Sequence, residues 1–299
     1  MNNPLISIII PCFNCEKYVE QAILNAKSQR LENLEIVFIN DGSTDNVEEL
    51  LQPYKNDLVY CYQENKGLSN ARNKGIEFSK GNYIAFLDPD DIWYPDTLIT
   101  LYDFLENNKD FGMVCGKTLC ISESGEPLYS IPPKNIGPEI THEDLLNRNL
   151  FTVISALARR ECFEKVGLFD ENLTSCEDYD MWLRISKHYK IGYIDKYVAK
   201  YRIASSMMSA DIFRMVKNEV AVLEKNLIVD ENTPKKVLSH LYYKKGVFNS
   251  LLKNQRKSTI YFFSSLKNNP FNYKSMAGLF LNLFFPFSFE KIMKIYRYR

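Results

Sequence analysis

The chain has 299 residues, of which 45% are hydrophobic and 25% charged, with 37 Lys and Arg matching 37 Asp and Glu. This composition is that of a globular protein and excludes a disordered or bilayer-embedded chain; the length allows one large domain or two smaller ones. The zero net charge conceals an asymmetry, because residues 1–209 carry 21 basic and 31 acidic side chains whereas residues 210–299 carry 16 and 6.

Residues 5–10, LISIII, form a β-branched run stopped by Pro11 and predict a central strand. Asn14 can cap the helix that follows, on which Val19, Ala22, Ile23 and Ala26 recur at helical spacing. A second strand, EIVFIN, runs into DGSTD at 41–45. Asp-Gly-Ser is turn chemistry there, and Ser43 or Thr44 can cap a helix through Val47, Leu50 and Leu51. Residues 59–63 predict a third strand. ENKGLSNARNKGIEFSKG at 64–81 then reads as loop, helix and glycine stop, with Leu68, Ala71 and Ile76 inward. YIAFLDPDDIWYPD at 83–96 is an apolar strand that runs straight into three aspartates. Alternating strands and helices predict an α/β fold with a doubly wound, mostly parallel sheet flanked by helices.

Residues 112–140 carry scattered glycines and prolines, Pro133 among them, without a long period, and read as strands and a long loop lining a cleft. Thr141 and Asp144 fit a capping box at the start of the next helix. FTVISALARRECFEKVGLFDENL at 151–173 reads as strand, helix and turn. CEDYDMWLRISKHY at 176–189 reads as a helix with Met181, Trp182 and Ile185 inward and its acidic start at the positive end of the helix dipole.

Beyond residue 210 glycine thins, lysines recur and helical stripes dominate. Val216, Val220 and Leu223 form one; Val237, Leu241 and Val247 belong to others, and a helical hairpin breaks at Pro270. The tail sets an aromatic run at 276–289 beside Lys291, Lys294, Arg297 and Arg299. That run is too short for a bilayer span. It suits a helix lying in the lipid interface, with cations toward acidic headgroups, or equally a core helix packed on the preceding domain. Its aromatics join apolar runs rather than interleave with cations as stacking platforms, which argues against nucleic acid.

The seven cysteines are odd in number and scattered, which predicts reduced thiols rather than a disulfide framework. The C-x-x-C of Cys12 and Cys15 has no second pair at zinc-ribbon spacing and no redox-motif setting. The first residues carry no signal-peptide pattern, so a cytoplasmic location is expected.

The candidate chemistry lies where strands end, the edge at which open α/β sheets place ligands. In an extended chain Asp88 and Asp90 share a face, with Asp91 turned aside. Two carboxylates aimed at one point suit a hard divalent cation, Mg²⁺ or Mn²⁺, that keeps positions open for phosphate oxygens. The plainer alternative is an acidic turn capping the helix that starts near Pro95.

Taken in order, SIIIPCFNCEKYVEQAI, INDGSTD, NKGLSNARNKGI, GNYIAFLDPDDIWYP, VGLFDENL and EDYDMWLRI resemble the successive motifs of the inverting family 2 glycosyltransferases, of the GT-A fold, over roughly residues 4–205. The resemblance implies that Asp41 bonds the edge of the nucleotide base, usually uracil, and that Pro11, Phe13 and Asn14 line the nucleoside pocket. It places Lys66, Gly67 and Arg72 in the segment that closes over the nucleotide. Asp88 and Asp90 match the DXD motif that touches ribose and metal, and Asp178 matches the catalytic base, with Glu177 beside it. The implied partners are a nucleotide-sugar donor, UDP-linked, and a cell-surface glycan or lipid-linked acceptor.

Residues 1–209 are then the GT-A domain, with its nucleotide half at 1–110 and acceptor half at 111–209. Residues 210–299 are a basic helical region, expected either to touch the cytoplasmic face of the membrane or to pack on the catalytic domain. Asp180, Trp182 and Arg184 read as structural. Two positions depart from the family pattern: Ile203, Ala204 and Ser205 follow Tyr201–Arg202 where many relatives place a histidine, and Asn40 stands where they have Asp. Two other readings stay open. A nucleotidylyltransferase shares this fold type, but no glycine- and Arg/Lys-rich signature follows the first strand. A catalytically silent scaffold is also conceivable, although every expected carboxylate is present.

Overall fold

The computed structural model describes residues 6–132, 136–204 and 211–285. The expectations that concern Pro133, Ser205 and the cationic tail from Lys291 to Arg299 lie outside these residues. The chain forms two compact units, Met1–Leu145 with Asn149–Ser205, and Leu146–Arg148 with Ser206–Arg299.

The elements run β1 (Ile6–Cys12), α1 (Val19–Lys27), β2 (Leu34–Asp41), α2 (Val47–Leu50), β3 (Val59–Gln63), α3 (Leu68–Phe78) and β4 (Tyr83–Phe86). Then follow β5 (Ile92–Trp93), α4 (Thr97–Asn107), β6 (Phe111–Ser122), β7 (Pro127–Ile131), β8 (Glu139–Ile140), α5 (His142–Asn147), β9 (Ala156–Arg159), α6 (Arg160–Val166), α7 (Glu177–Ile185) and β10 (Lys190–Ile203). The sheet order is β3-β2-β1-β4-β9-β6-β10-β5, with β7 beside β6 and β8 beside β10. β3, β2, β1 and β4 are mutually parallel; β9 enters antiparallel between β4 and β6, and β6 and β10 run parallel. The carboxyl ends of the parallel half therefore open on one edge.

β1 is buried at every position, as its unbroken apolar run requires. It runs past Pro11 rather than stopping before it. The Ile9 carbonyl accepts the Leu87 N–H, so Ile9, and Pro11 two residues on, turn their backbone groups toward β4, which ends at Phe86. The missing proline N–H thus leaves no ladder bond unmade.

Two expected helix caps are used differently. Asn14 takes positive φ (51°), and its Oδ1 accepts the Thr44 N–H at 2.8 Å while its own N–H donates to Ser43 Oγ at 3.0 Å. It ties the β1 and β2 loops together instead of capping α1. At α2 the Val47 N–H is taken by Asp45 at 3.3 Å, not by Ser43 or Thr44. The Thr141–Asp144 capping box forms reciprocally, at 3.0 and 3.1 Å.

The second unit contains α8 (Ile212–Asn226), α9 (Lys235–Leu251), α10 (Gln255–Asn268) and α11 (Tyr273–Phe284). Its core gathers Ile212, Val216 and Val247 around the buried ring of Phe262. Gly246 of α9 and Gly278 of α11 both lie against that ring: a Cβ at either position would come within 2.7 or 2.6 Å of it. Among the described residues no helix is long and apolar enough to cross a membrane.

Candidate active site

After β4 the chain turns at once, the Asp91 N–H donating to the Asp88 carbonyl at 3.0 Å. Asp88-Pro89-Asp90-Asp91 is therefore a β-turn, not the extended stretch expected, because Pro89 presets φ for the turn's second position. β10 pins it. The Arg202 N–H donates to Asp91 Oδ1 at 2.8 Å, and its guanidinium reaches the Asp90 and Glu123 carbonyls, each at 2.9 Å. Asp91 is fully buried with Oδ2 unpartnered, and burial together with the Asp90 and Asp88 charges holds its pKa well above the ordinary value. Asp90 is pushed up to about 6, by desolvation first and by Asp88 second.

Arg72 is the hub of the site. It comes from α3, is 1% exposed, and packs against the edge-to-face pair Phe86 and Phe169, 5.9 and 5.8 Å from their ring centroids. One terminal nitrogen grips both oxygens of Asp88, at 2.9 and 3.0 Å, and the other donates to Glu177 at 2.6 Å. Burial alone would lower its pKa, but the charges of Asp88 and Glu177 hold it raised. Arg72, expected in the segment over the nucleotide, is buried and links the turn after β4 to the first turn of α7. The loop that supplies Phe169 is docked on the same helix, Asn73 exchanging bonds with the Phe169 backbone at 2.8 and 3.0 Å.

Asp178 follows Glu177 and is partly exposed. Desolvation, reinforced by Glu177 and opposed by Arg72, pushes its carboxyl up to about 7. Its Oδ1 accepts the Tyr179 N–H at 2.7 Å, and Asn149 adds a side-chain hydrogen bond. Asp180 and Trp182 are buried; Asp180 pairs with Arg184 at 2.9 Å and Trp182 stacks on Phe151.

At the end of β2, with β1 between it and β4, Asp41 is buried. It accepts from Gln63 at 2.7 Å and from the Lys66 and Gly67 N–H groups at 2.9 Å each. The carboxylate thereby fixes the loop leading into α3. Gly67 (φ 89°) opens that helix, and Gly42 (φ 74°) lets the two loops meet, since a Cβ there would sit 2.6 Å from the Asn65 nitrogen. Phe13 and Lys66 are exposed at this edge, whereas Pro11 is buried in β1.

Arg72 thus brings Asp88, Glu177 and Asp178 together, and Asp90 shares the turn. Asp41 with Gly67 and Lys66, and Asn14 with the β2 loop, stand at adjoining strand ends. Sequence reasoning missed Phe169, Asn149 and the anchoring use of Arg202. Only the buried aromatic of VGLFDENL gave any signal, since its partners are distant in the chain. The cysteine expectation is corrected: Cys12 and Cys15 form a disulfide, brought together by the turn at Asn14, while the other five cysteines are free.

Among the described residues no three His, Cys, Asp or Glu side chains gather as a cage for a metal. The donors nonetheless fit a cation that arrives with phosphate. Asp90 offers hard oxygen ligands in a desolvated setting that a positive charge would relieve, beside Asp88. Mg²⁺ and Mn²⁺ sites often use one or two carboxylates and leave the remaining positions to substrate and water.

The chain has relatives among known proteins. A putative teichuronic acid biosynthesis glycosyltransferase of Bacillus subtilis is 28% identical over 222 residues, covering 72% of this chain and 85% of that protein. An uncharacterized glycosyltransferase of Rickettsia prowazekii is 34% identical over 210 residues; the chain spans 64% of that relative's length, and the match covers 67% of the chain. S. aureus TarS 1–349 in complex with UDP-GlcNAc superposes with a TM-score of 0.67 at 17% identity, over 93% of this chain and 89% of that one. A mannosyltransferase of Pyrobaculum calidifontis, in complex with GDP-Man and Mn²⁺, gives 0.58 at 16% identity, over 95% and 88%. These two likenesses establish a GT-A fold. Residues 7–167, more than half of the chain and the stretch that carries Asp41, Arg72, Asp88 and Asp90, match the model of Glycosyl transferase family 2, and the chain belongs to that family.

Proposed function

We propose that the protein is a divalent-cation-dependent, inverting glycosyltransferase that moves a hexose from a UDP-sugar to a hydroxyl of a cell-surface glycan or lipid-linked acceptor. The observation that carries this reading is the Arg72 bridge, which holds the Asp88–Asp90 turn and the Glu177–Asp178 pair to one guanidinium. Asp178, at about 7, is a base of the right strength for neutral pH. It takes the proton of the acceptor hydroxyl while that oxygen bonds to the anomeric carbon; the bond to the donor phosphate breaks on the opposite face, and nucleoside diphosphate leaves. Such general-base help is typically worth about 10²–10⁴-fold in rate.

Asp88 and Asp90 would hold the cation, which when bound supplies charge neutralisation to the departing diphosphate. Pro11, Phe13, Asn14, Asp41, Lys66 and Gly67 form the nucleoside end of the site. Arg72 acts on it by orienting Asp88 and Glu177. The TarS neighbour supports a UDP-linked donor, the Pyrobaculum neighbour supports Mn²⁺, and the Bacillus relative supports a wall-polymer acceptor. We place residues 210–299 at the cytoplasmic face of the membrane, where a lipid-linked acceptor would be met.

The test is a screen of UDP- and GDP-sugars with Mg²⁺ or Mn²⁺, followed by product analysis. Release of nucleoside diphosphate is the expected result. Release of pyrophosphate from a sugar phosphate and a nucleoside triphosphate would assign the site to nucleotidyl transfer instead.

A further inference from the structure

In water an amphipathic helix buries its apolar face and exposes its polar one. α11 does the reverse. Its buried positions are Ser275, Gly278 and Asn282, whereas Tyr273, Met276, Phe280 and Phe284 point outward, the last two 55% and 66% exposed. Steps of three, four and four residues keep those four side chains on one face. α10 repeats the pattern in part: Ser258 and Ser265 lie inward beside Phe262, while Ile260 and Phe263 are exposed.

The inward polar groups satisfy one another. Ser265 bonds Ser239 at 2.9 Å and Ser275 at 2.7 Å, and Asn282 accepts from Ser250 and donates to Thr259, both at 2.9 Å. A seam of small and hydroxyl-bearing residues, with large apolar side chains outside, is how helices pack where the surroundings are themselves apolar. A contiguous exposed apolar face marks an interaction surface.

Charge selects the partner. Residues 232–285 contain nine Lys and Arg and no Asp or Glu, and Lys253, Arg256, Lys257, Lys267 and Lys274 are exposed. Lys274, in the first turn of α11, has its pKa lowered by desolvation and then by Lys244 and Arg148, so cations crowd each other here. A second copy of the chain would bring like charge against this surface. So would residues 286–299, which add four cations and one Glu. An anionic bilayer supplies both complements, acyl chains for the aromatic face and negative headgroups for the lysines.

We infer that the outward face of α10 and α11 is a peripheral docking surface for anionic lipid. This deepens the membrane contact proposed above and rests on that reading, which puts the acceptor at the membrane.

Full-length protein is co-sedimented with vesicles of phosphatidylcholine alone, or of phosphatidylcholine with phosphatidylglycerol at three to one. Binding to the anionic vesicles that weakens with salt is expected. Phe280→Asp with Phe284→Asp, both at exposed positions, should lower it at least tenfold. Lys253→Glu with Lys257→Glu and Lys267→Glu should erase the preference for anionic over neutral vesicles. Nucleoside diphosphate release from a water-soluble donor should be unchanged in both variants. Equal vesicle binding by wild type and the double-Asp variant overturns the inference. So does a vesicle-free self-association in sedimentation velocity that the double-Asp variant abolishes, because the face then belongs to a second copy. Vesicle binding without nucleotide-sugar turnover would count against the transferase reading and leave the surface intact.

Discussion

Asp178→Asn should stabilise the protein at pH 8 and about half as much at pH 5. The folded chain holds this carboxyl at about 7 against an ordinary 3.8. At about 1.4 kcal/mol per pH unit, keeping it ionised at pH 8 costs the native state about 4 kcal/mol. Asn stands in for the neutral carboxyl and retains an oxygen for the Tyr179 N–H, and the bonds from Tyr179 and Asn149 that favour the charged form are already contained in the raised value. The gain is about 4 kcal/mol, or roughly 8–16 °C in Tm.

The sign follows from which state binds the proton. A carboxyl whose pKa is raised by folding penalises the native state above its folded value, and the penalty fades as pH falls from about 7 toward the unfolded value. At pH 5, where the native carboxyl is neutral, it is about 2 kcal/mol, so the variant's advantage roughly halves. Thermal unfolding of wild type and variant at both pH values is the assay. A gap of the same size at pH 5 and pH 8, or a destabilised variant at pH 8, refutes the claim that Asp178 is a strained carboxylate.

Three other outcomes follow from named contacts. Arg72→Lys keeps a cation that cannot bridge Asp88 and Glu177 together; kcat should fall at least tenfold while the acid limb of kcat/KM stays near pH 7, because the charge that lowers the Asp178 pKa is retained. Arg72→Leu, which leaves two carboxylates without their buried partner, should cost about 3–5 kcal/mol in a urea titration. Gly42→Ala forces a Cβ to 2.6 Å from the Asn65 backbone at positive φ, so a loss of about 1–3 kcal/mol and a raised donor KM are expected from melting and kinetics. Thiol titration of denatured, unreduced protein should count five cysteines rather than seven.

Periodicity made much of the fold legible. The apolar runs of β1, β2 and β4 and the stripe Val19, Ala22, Ile23 and Ala26 on α1 are local signals of burial, and each of them is buried in the fold. What the pattern could not supply was the use of polar side chains across the chain. Asn14 looks like a helix cap because capping is local, yet its partner is thirty residues away in the β2 loop. Arg72 looks like a ligand-facing cation because arginines are seldom buried, and only Asp88 and Glu177, together with two aromatic rings, make its burial stable. The aspartate pair reads as extended because it directly continues the apolar run of β4, whereas Pro89 starts a turn there. α11 conceals its polarity in another way: its composition is apolar, and only the packing shows that Ser275 and Asn282 face inward.

Nucleoside diphosphate release from UDP-sugars, measured with Mn²⁺ for wild type, Asp90→Asn and Asp178→Asn, bears most directly on the claim that these carboxylates form one transferase site. The wild type should turn over donor in a metal-dependent way, with both variants reduced about a hundredfold or more. Equal rates in all three proteins would contradict it.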